Sequence, residues 1–136
     1  MTATKEQITD FIKTDFPQCN STVDAVGKGC ATVRHKIGHS ELRPGGTVSG
    51  PVMMAVADVA LYVAILGEIG IVPLAVTTNL NINFLRKPAE DKDLIGVCQL
   101  IKTGKVLVVG DVNLYSEGDD RPVAHAVGTY SIPSVR

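Results

Sequence analysis

With 136 residues, 45% of them hydrophobic and 20% charged, the chain has the size and composition of one compact domain with a real core, and no room for a second. A formal net charge of -1 provides no global field to attract nucleic acid or an anionic membrane surface, so any anion binding has to be local. Cys19, Cys30 and Cys98 are odd in number, widely spaced and without a Cys-x-x-Cys pair, which points to reduced thiols in the cytoplasm rather than a secreted disulfide framework.

Near the N-terminus, Ile8, Phe11 and Ile12 recur at helical spacing, predicting a short amphipathic helix from Thr4 or Lys5 to Phe16 that Pro17 ends. Charges interrupt this segment, so no export signal is read in it. Ser21 to Ile37 is rich in Val, Ala and Thr and contains Gly27 and Gly29, which suits a strand or a hairpin with a bend. The glycines and Pro44 between Gly38 and Gly50 predict a long loop.

At Ser49-Gly50-Pro51 a capping residue ahead of a proline sets up a helix N-terminus. The helix is expected to reach about Leu66. Between Val52 and Leu66 every residue except Asp58 is apolar or amphipathic, so this helix has no polar face and is expected to be buried almost all round. A membrane span is set aside on three grounds: the apolar run is short for a bilayer, a carboxylate sits at its middle, and strands follow instead of basic anchors.

After Gly70 and Pro73 the segment Val76 to Phe84 alternates strictly. Val76, Thr78, Leu80, Ile82 and Phe84 fall on a core face, and Thr77, Asn79, Asn81 and Asn83 on a polar one. Leu94 to Ile101, Val106 to Tyr115 and Pro122 to Ile132 supply three more strands with short turns between them, an antiparallel meander. These elements pack most simply as an α+β domain in which one curved antiparallel sheet wraps around the long central helix.

The segments RPGGTVSGPVMMAVADVALY at residues 43–62 and TTNLNINFLRKP at residues 77–88 carry a resemblance over nearly the whole chain. In this order of elements the chain resembles the phenylacetic-acid-pathway (PaaI-like) branch of the hotdog-fold thioesterases. The resemblance implies a homodimeric or homotetrameric acyl-CoA thioesterase that needs no cofactor, coenzyme A being part of the substrate. It also implies that Asp58 is the nucleophile or general base, that the Gly50 N–H polarises the thioester carbonyl, and that Thr77 orients the attacking water. Two positions depart from the family. Ser49 stands where the family has the His of a His-Gly-Gly, and Arg43 where relatives often carry an Asn.

The same residues can be weighed on physical grounds. An aspartate on an apolar helix is costly to desolvate, so it is paired, hydrogen-bonded or held partly neutral. It does chemistry, fixes the helix against a neighbour, or lies on an oligomer seam. Gly50 offers a first-turn N–H in a region of partial positive charge, suited to an oxyanion, although capping alone needs the same Gly and Pro. Eight positions separate Gly50 from Asp58, about 12 Å along a helix rising ~1.5 Å per residue. One chain therefore cannot bring both to one carbonyl, which predicts a two-fold dimer pairing Gly50 of one subunit with Asp58 of the other. Thr77, on the polar face of its strand, would need a local bend to reach its own helix, so contact with a partner's helix is the simpler expectation.

Arg86 and Lys87 are the first choice for the phosphates of coenzyme A. Ser49, Arg43, Met54 and Asn79 complete the expected substrate-binding set, with Met54 as the adaptable wall of an acyl tunnel. His35, His39 and Glu41 lack metal-site spacing, so no metal is expected. His125, between Ala124 and Ala126, reads as a hydrogen-bonded sheet residue. Two rival functions remain: a non-catalytic acyl-CoA binder, motivated by the absent His and Asn, and an enoyl-CoA hydratase. The latter needs an Asp and His pair that is missing between Ser49 and Tyr62.

Overall fold

The computed structural model describes residues 2–134. Helix α1 spans Lys5–Asp15, and Thr4 caps it reciprocally: its hydroxyl accepts from the Gln7 N–H, while the Gln7 side chain accepts from the Thr4 N–H. Ile8 and Ile12 are its buried residues, as the spacing predicts. Of the two forms expected for Ser21 to Ile37, strand or hairpin, the chain takes the hairpin: strands β1 (Ser21–Gly27) and β2 (Cys30–His35), with the turn closed by Gly29 at φ 66°.

The expected loop from Gly38 to Gly50 is more ordered than its composition suggests. It contains a 3-10 turn, His39–Glu41, and a miniature hairpin of β3 (Leu42–Arg43) and β4 (Thr47–Val48). Pro44 and two left-handed glycines, Gly45 and Gly46, supply its turn, so the residues read as loop formers are hairpin formers.

Helix α2 runs over Gly50–Ile69, a little beyond the expected end near Leu66. The Ser49 hydroxyl accepts from the Val52 N–H at 3.3 Å, and Gly70, at φ 100°, stops the helix by returning its own N–H to the Leu66 carbonyl. By length and hydropathy these 20 residues could cross a bilayer, so shortness is no argument against a span. The sheet accounts for the apolarity instead: Ala57, Ala60, Leu61, Ile65 and Leu66 are completely buried against it. Burial all round, however, holds only for the C-terminal half. In the N-terminal half Pro51, Met54 and Ala55 stay exposed, because no element of the same chain covers that face.

The remaining strands are β5 (Val76–Phe84), β6 (Leu94–Thr103), β7 (Leu107–Ser116) and β8 (Ala124–Ser131). All pair antiparallel in one six-stranded sheet of order β1-β2-β6-β7-β8-β5. The meander therefore comprises β6, β7 and β8 only. Strand β5 crosses to the far side and pairs with β8, which leaves β1 and β5 as the two edges. Leu61 on α2 marks where the sheet closes on the helix. A Cβ added at Gly110 would meet one Leu61 methyl at 2.7 Å, and one at Gly128 would meet the other at 2.6 Å. These glycines face each other across β7 and β8, so the pair forms a hollow that only residues without a side chain can make.

The strict alternation predicted for β5 breaks near its start. The β5–β8 register shifts between Thr77 and Asn79, leaving Thr78 as an extra residue. One extra residue exchanges the two faces of a strand on one side of the irregularity. Thr77 consequently turns towards α2, together with Leu80 and Ile82 beyond the bulge, while the Thr78 hydroxyl bonds the Thr129 carbonyl.

Cys98 is fully buried on β6, and burial, with smaller contributions from Asp111 and Cys30, pushes its thiol up to about 12 from an ordinary 9.0. It is expected to stay unreactive towards a disulfide reagent at pH 8 in the native protein and to react after denaturation, which a timed thiol count would show. The sign of the linkage follows. The unfolded thiol ionises near 9 and the folded one near 12, so this contribution to stability is complete below 9 and is lost as the pH rises towards 12.

Candidate active site

Asp58 occupies the half-buried stretch of α2 where the sheet edge begins to leave the helix uncovered. Two hydroxyls donate to the same carboxylate oxygen: Thr77 Oγ1 at 2.7 Å and Tyr130 Oη at 2.9 Å from Oδ1. The second oxygen, Oδ2, takes part in neither bond. Thr77 and Tyr130 face each other directly across β5 and β8, so one cross-strand pair delivers both donors. The expectation that Thr77 would reach a partner's helix is corrected: the bend it needs is the bulge at Thr78, and the contact lies within one chain.

Tyr130 is the residue that sequence reasoning missed. Only 3% exposed, it stacks on Tyr62 with ring centroids 5.9 Å apart. Burial first, then the charge of Asp58, pushes its phenol far above the ordinary 10.0, so it remains a donor throughout the physiological range. A signal did exist. Ala124, Ala126 and Gly128 precede it at alternating positions on the buried face of β8, and a large phenol in such a row needs a partner for its hydroxyl. Tyr130→Phe should keep the packing and lose one donor. We expect kcat to fall about tenfold, with a stability loss on the order of 1 kcal/mol, as read by turnover and thermal denaturation.

A cavity of about 340 Å³ opens beside this carboxylate, and Asp58, Thr77 and Tyr130 form one end of it. Phe11 and Phe16 from the α1 segment, with Tyr62, make its aromatic wall. Phe16 meets Tyr62 edge-on at 6.5 Å, and the Tyr62 hydroxyl donates to the Pro73 carbonyl at 3.2 Å, so the wall is fixed from both sides. A carboxylate anchored twice through Oδ1, with Oδ2 in neither bond and an aromatic cavity beside it, is equipped to accept a proton from water or to attack a carbonyl.

The other expected site residues lie elsewhere. Gly50 is the first residue of α2 and Asp58 is two turns on, so the ~12 Å separation stands, and they do not meet within one chain. A first-turn N–H has no acceptor within its own helix. Phe84, at the far end of β5, lies beside Gly50, its Cζ 3.4 Å from where a Cβ would stand. Ser49 is occupied as the helix cap. Arg43 is exposed on the miniature hairpin, in a separate surface hollow with His39. Met54, 40% exposed, lies on the uncovered face of α2 and is not part of the Asp58 cavity. Asn79 is exposed just past the bulge. Arg86 donates to the Pro122 carbonyl, and Lys87 beside it is exposed.

His35 contacts Ser21 at 3.1 Å through Nδ1 and Glu41 at 3.4 Å through Nε2, which ties the 3-10 turn to β2. His125 contacts Asp111 at 3.3 Å across β7 and β8, as a sheet residue. Among the described residues, no cluster of three or more His, Cys, Asp or Glu side chains is placed to hold a metal ion.

The thioesterase superfamily model matches residues 45–123, more than half of the chain. Among solved structures, a candidate thioesterase from Silicibacter sp. TM1040 is 45% identical, with a TM-score of 0.88 over 96% of this chain and 92% of that one. Zebra fish thioesterase superfamily member 2 is 18% identical (TM-score 0.84; 97% and 100% covered), and the PaaI protein of the E. coli phenylacetic acid degradation operon is 19% identical (TM-score 0.82; 94% and 91% covered). At those identities the latter two support the fold alone. No curated protein matches the chain. A six-stranded antiparallel sheet wrapped on one apolar helix, with a carboxylate at a cavity beside it, thus joins the family match: the chain belongs to the thioesterase superfamily, as a hotdog-fold thioester hydrolase.

Proposed function

We propose that the chain hydrolyses an acyl-CoA thioester, with Asp58 as general base, and that its active site is completed by a second copy of itself. The observation that carries this reading is the convergence of Thr77 and Tyr130 on one oxygen of Asp58 at the mouth of an aromatic cavity. Thr77 spends its single proton on Asp58, so its own lone pairs face outwards as acceptors. A water molecule that donates one hydrogen to Thr77 and the other to Asp58 Oδ2 is oriented, and its oxygen attacks the carbonyl carbon as Oδ2 takes the proton. Collapse of the tetrahedral species breaks the carbon–sulfur bond, and the thiolate leaves as coenzyme A by recovering that proton. The negative oxygen formed in between needs a donor, and the Gly50 N–H supplies it from the other subunit.

The uncovered surface fits that second copy. Edge strand β5 carries Val76 and Phe84, 53% and 50% exposed, and the neighbouring face of α2 carries Met54 at 40%. An apolar edge with unpaired backbone groups next to an apolar helix face is a surface that a monomer rarely leaves open. A two-fold contact there sets the head of one α2 towards the middle of the other. Arg86 and Lys87, exposed at the end of β5, then flank the entrance as phosphate contacts for coenzyme A.

A panel of short, long and aromatic acyl-CoAs, followed by free-thiol release for a single turnover in heavy-oxygen water, tests the reading. Release with the label confined to the free acid is the expected result. Label in the Asp58 carboxylate would make it a nucleophile instead, and a panel that releases no thiol while still binding would favour a non-catalytic acyl-CoA binder.

A further inference from the structure

Asp15 is the last residue of α1, and it lines the same cavity as Asp58. Its position opposes the local rule for helices. Glu6 in the first turn and Lys13 in the last follow the dipole of α1, Lys5 at its head does not, and an acidic side chain at the C-terminal end faces the partial negative charge of the final carbonyls. Residues that break a local rule without a structural gain concentrate at functional sites.

The surroundings of Asp15 give that placement a purpose. Among the described residues, Asp15 and Asp58 are the charged side chains that line the cavity. Phe11, Phe16, Tyr62 and Tyr130, four of the six aromatic residues in the chain, form its walls. Aromatic faces carry negative potential and attract cations. The Tyr62 phenol, raised mainly by burial, is raised further by the charge of Asp15, so that charge is felt inside the wall.

We infer that Asp15 is a specificity-determining residue, making the cavity accept acyl groups that end in a cationic or neutral group and reject those that end in a carboxylate. The inference rests on the thioesterase reading for what fills the cavity. It also gives the products a direction: hydrolysis turns a neutral thioester carbonyl into a carboxylate between two others, and like charges drive it out.

The test separates this inference from the reading beneath it. Three non-hydrolysable thioether analogues of coenzyme A, matched in shape and ending in trimethylammonium, tert-butyl and carboxylate groups, are titrated into wild type and Asp15→Asn. In wild type at low salt the cationic analogue should bind about tenfold or more tighter than the anionic one, a ratio that narrows in high salt. Asp15→Asn should bring the ratio to within about threefold, and Asp15→Lys should invert it. The thermal midpoint of Asp15→Asn should stay level or rise, since an unfavourable charge leaves the helix end. An unchanged ratio in Asp15→Asn, or no preference in wild type, overturns the inference. Analogues that bind with the expected ranking while the matching thioesters are not hydrolysed would instead overturn the thioesterase reading and leave the charge preference of the cavity standing.

Discussion

Asp58→Asn is expected to lower kcat on acyl-CoA by about a thousandfold, within the ~10²–10⁴ range that a positioned general base contributes, with little change in KM. The substitution is conservative where it touches the fold. An amide oxygen in place of Oδ1 still accepts the Thr77 and Tyr130 hydroxyls, and the amide nitrogen takes the position of Oδ2, the oxygen that receives the proton. Loss of turnover without loss of structure is therefore the signature, read by thiol release beside a thermal melt. A variant that keeps more than a tenth of wild-type turnover would mean that Asp58 only fixes α2 against β5 and β8.

The second large effect concerns the helix head. Gly50→Pro deletes a single N–H at a position where helices accept proline readily. Ser49, at φ -71° and ψ 148°, already has the extended backbone that a residue before proline prefers, and its cap on Val52 does not involve the Gly50 N–H. If that N–H holds the oxyanion, kcat should fall about 10²–10³-fold, the usual consequence of removing one such donor. The cost should be steep because Pro51 has already removed the next N–H in the turn, leaving few substitutes. A fall of less than threefold in a folded Gly50→Pro protein would move the oxyanion to some other donor.

How much of this was legible in the sequence depended on the range of the physics involved. Asp58 stood out because one acid in an apolar helix is a local anomaly, and the cap at Ser49 was legible because its signal is equally local. Tyr130 was not, since its bond to Asp58 spans 72 positions and depends on β5 pairing with β8 rather than with its sequence neighbour β6. Thr77 was identified as a residue but placed on the wrong face, because Thr77-Thr78-Asn79 contains no glycine to announce a bulge. The charge logic of Asp15 was equally hidden: at the end of a surface helix it looks like an ordinary solvated acid until the fold sets it beside Tyr62.

The most direct test of the account is whether one site needs two chains. A purified heterodimer of Gly50→Pro and Asp58→Asn subunits contains one site with both mutations and one with neither, provided that the N–H and the carboxylate come from different subunits. The account predicts about half of wild-type kcat from this heterodimer, while each mutant homodimer stays near background. A heterodimer as inactive as its parents would contradict it, showing that each chain builds its own site.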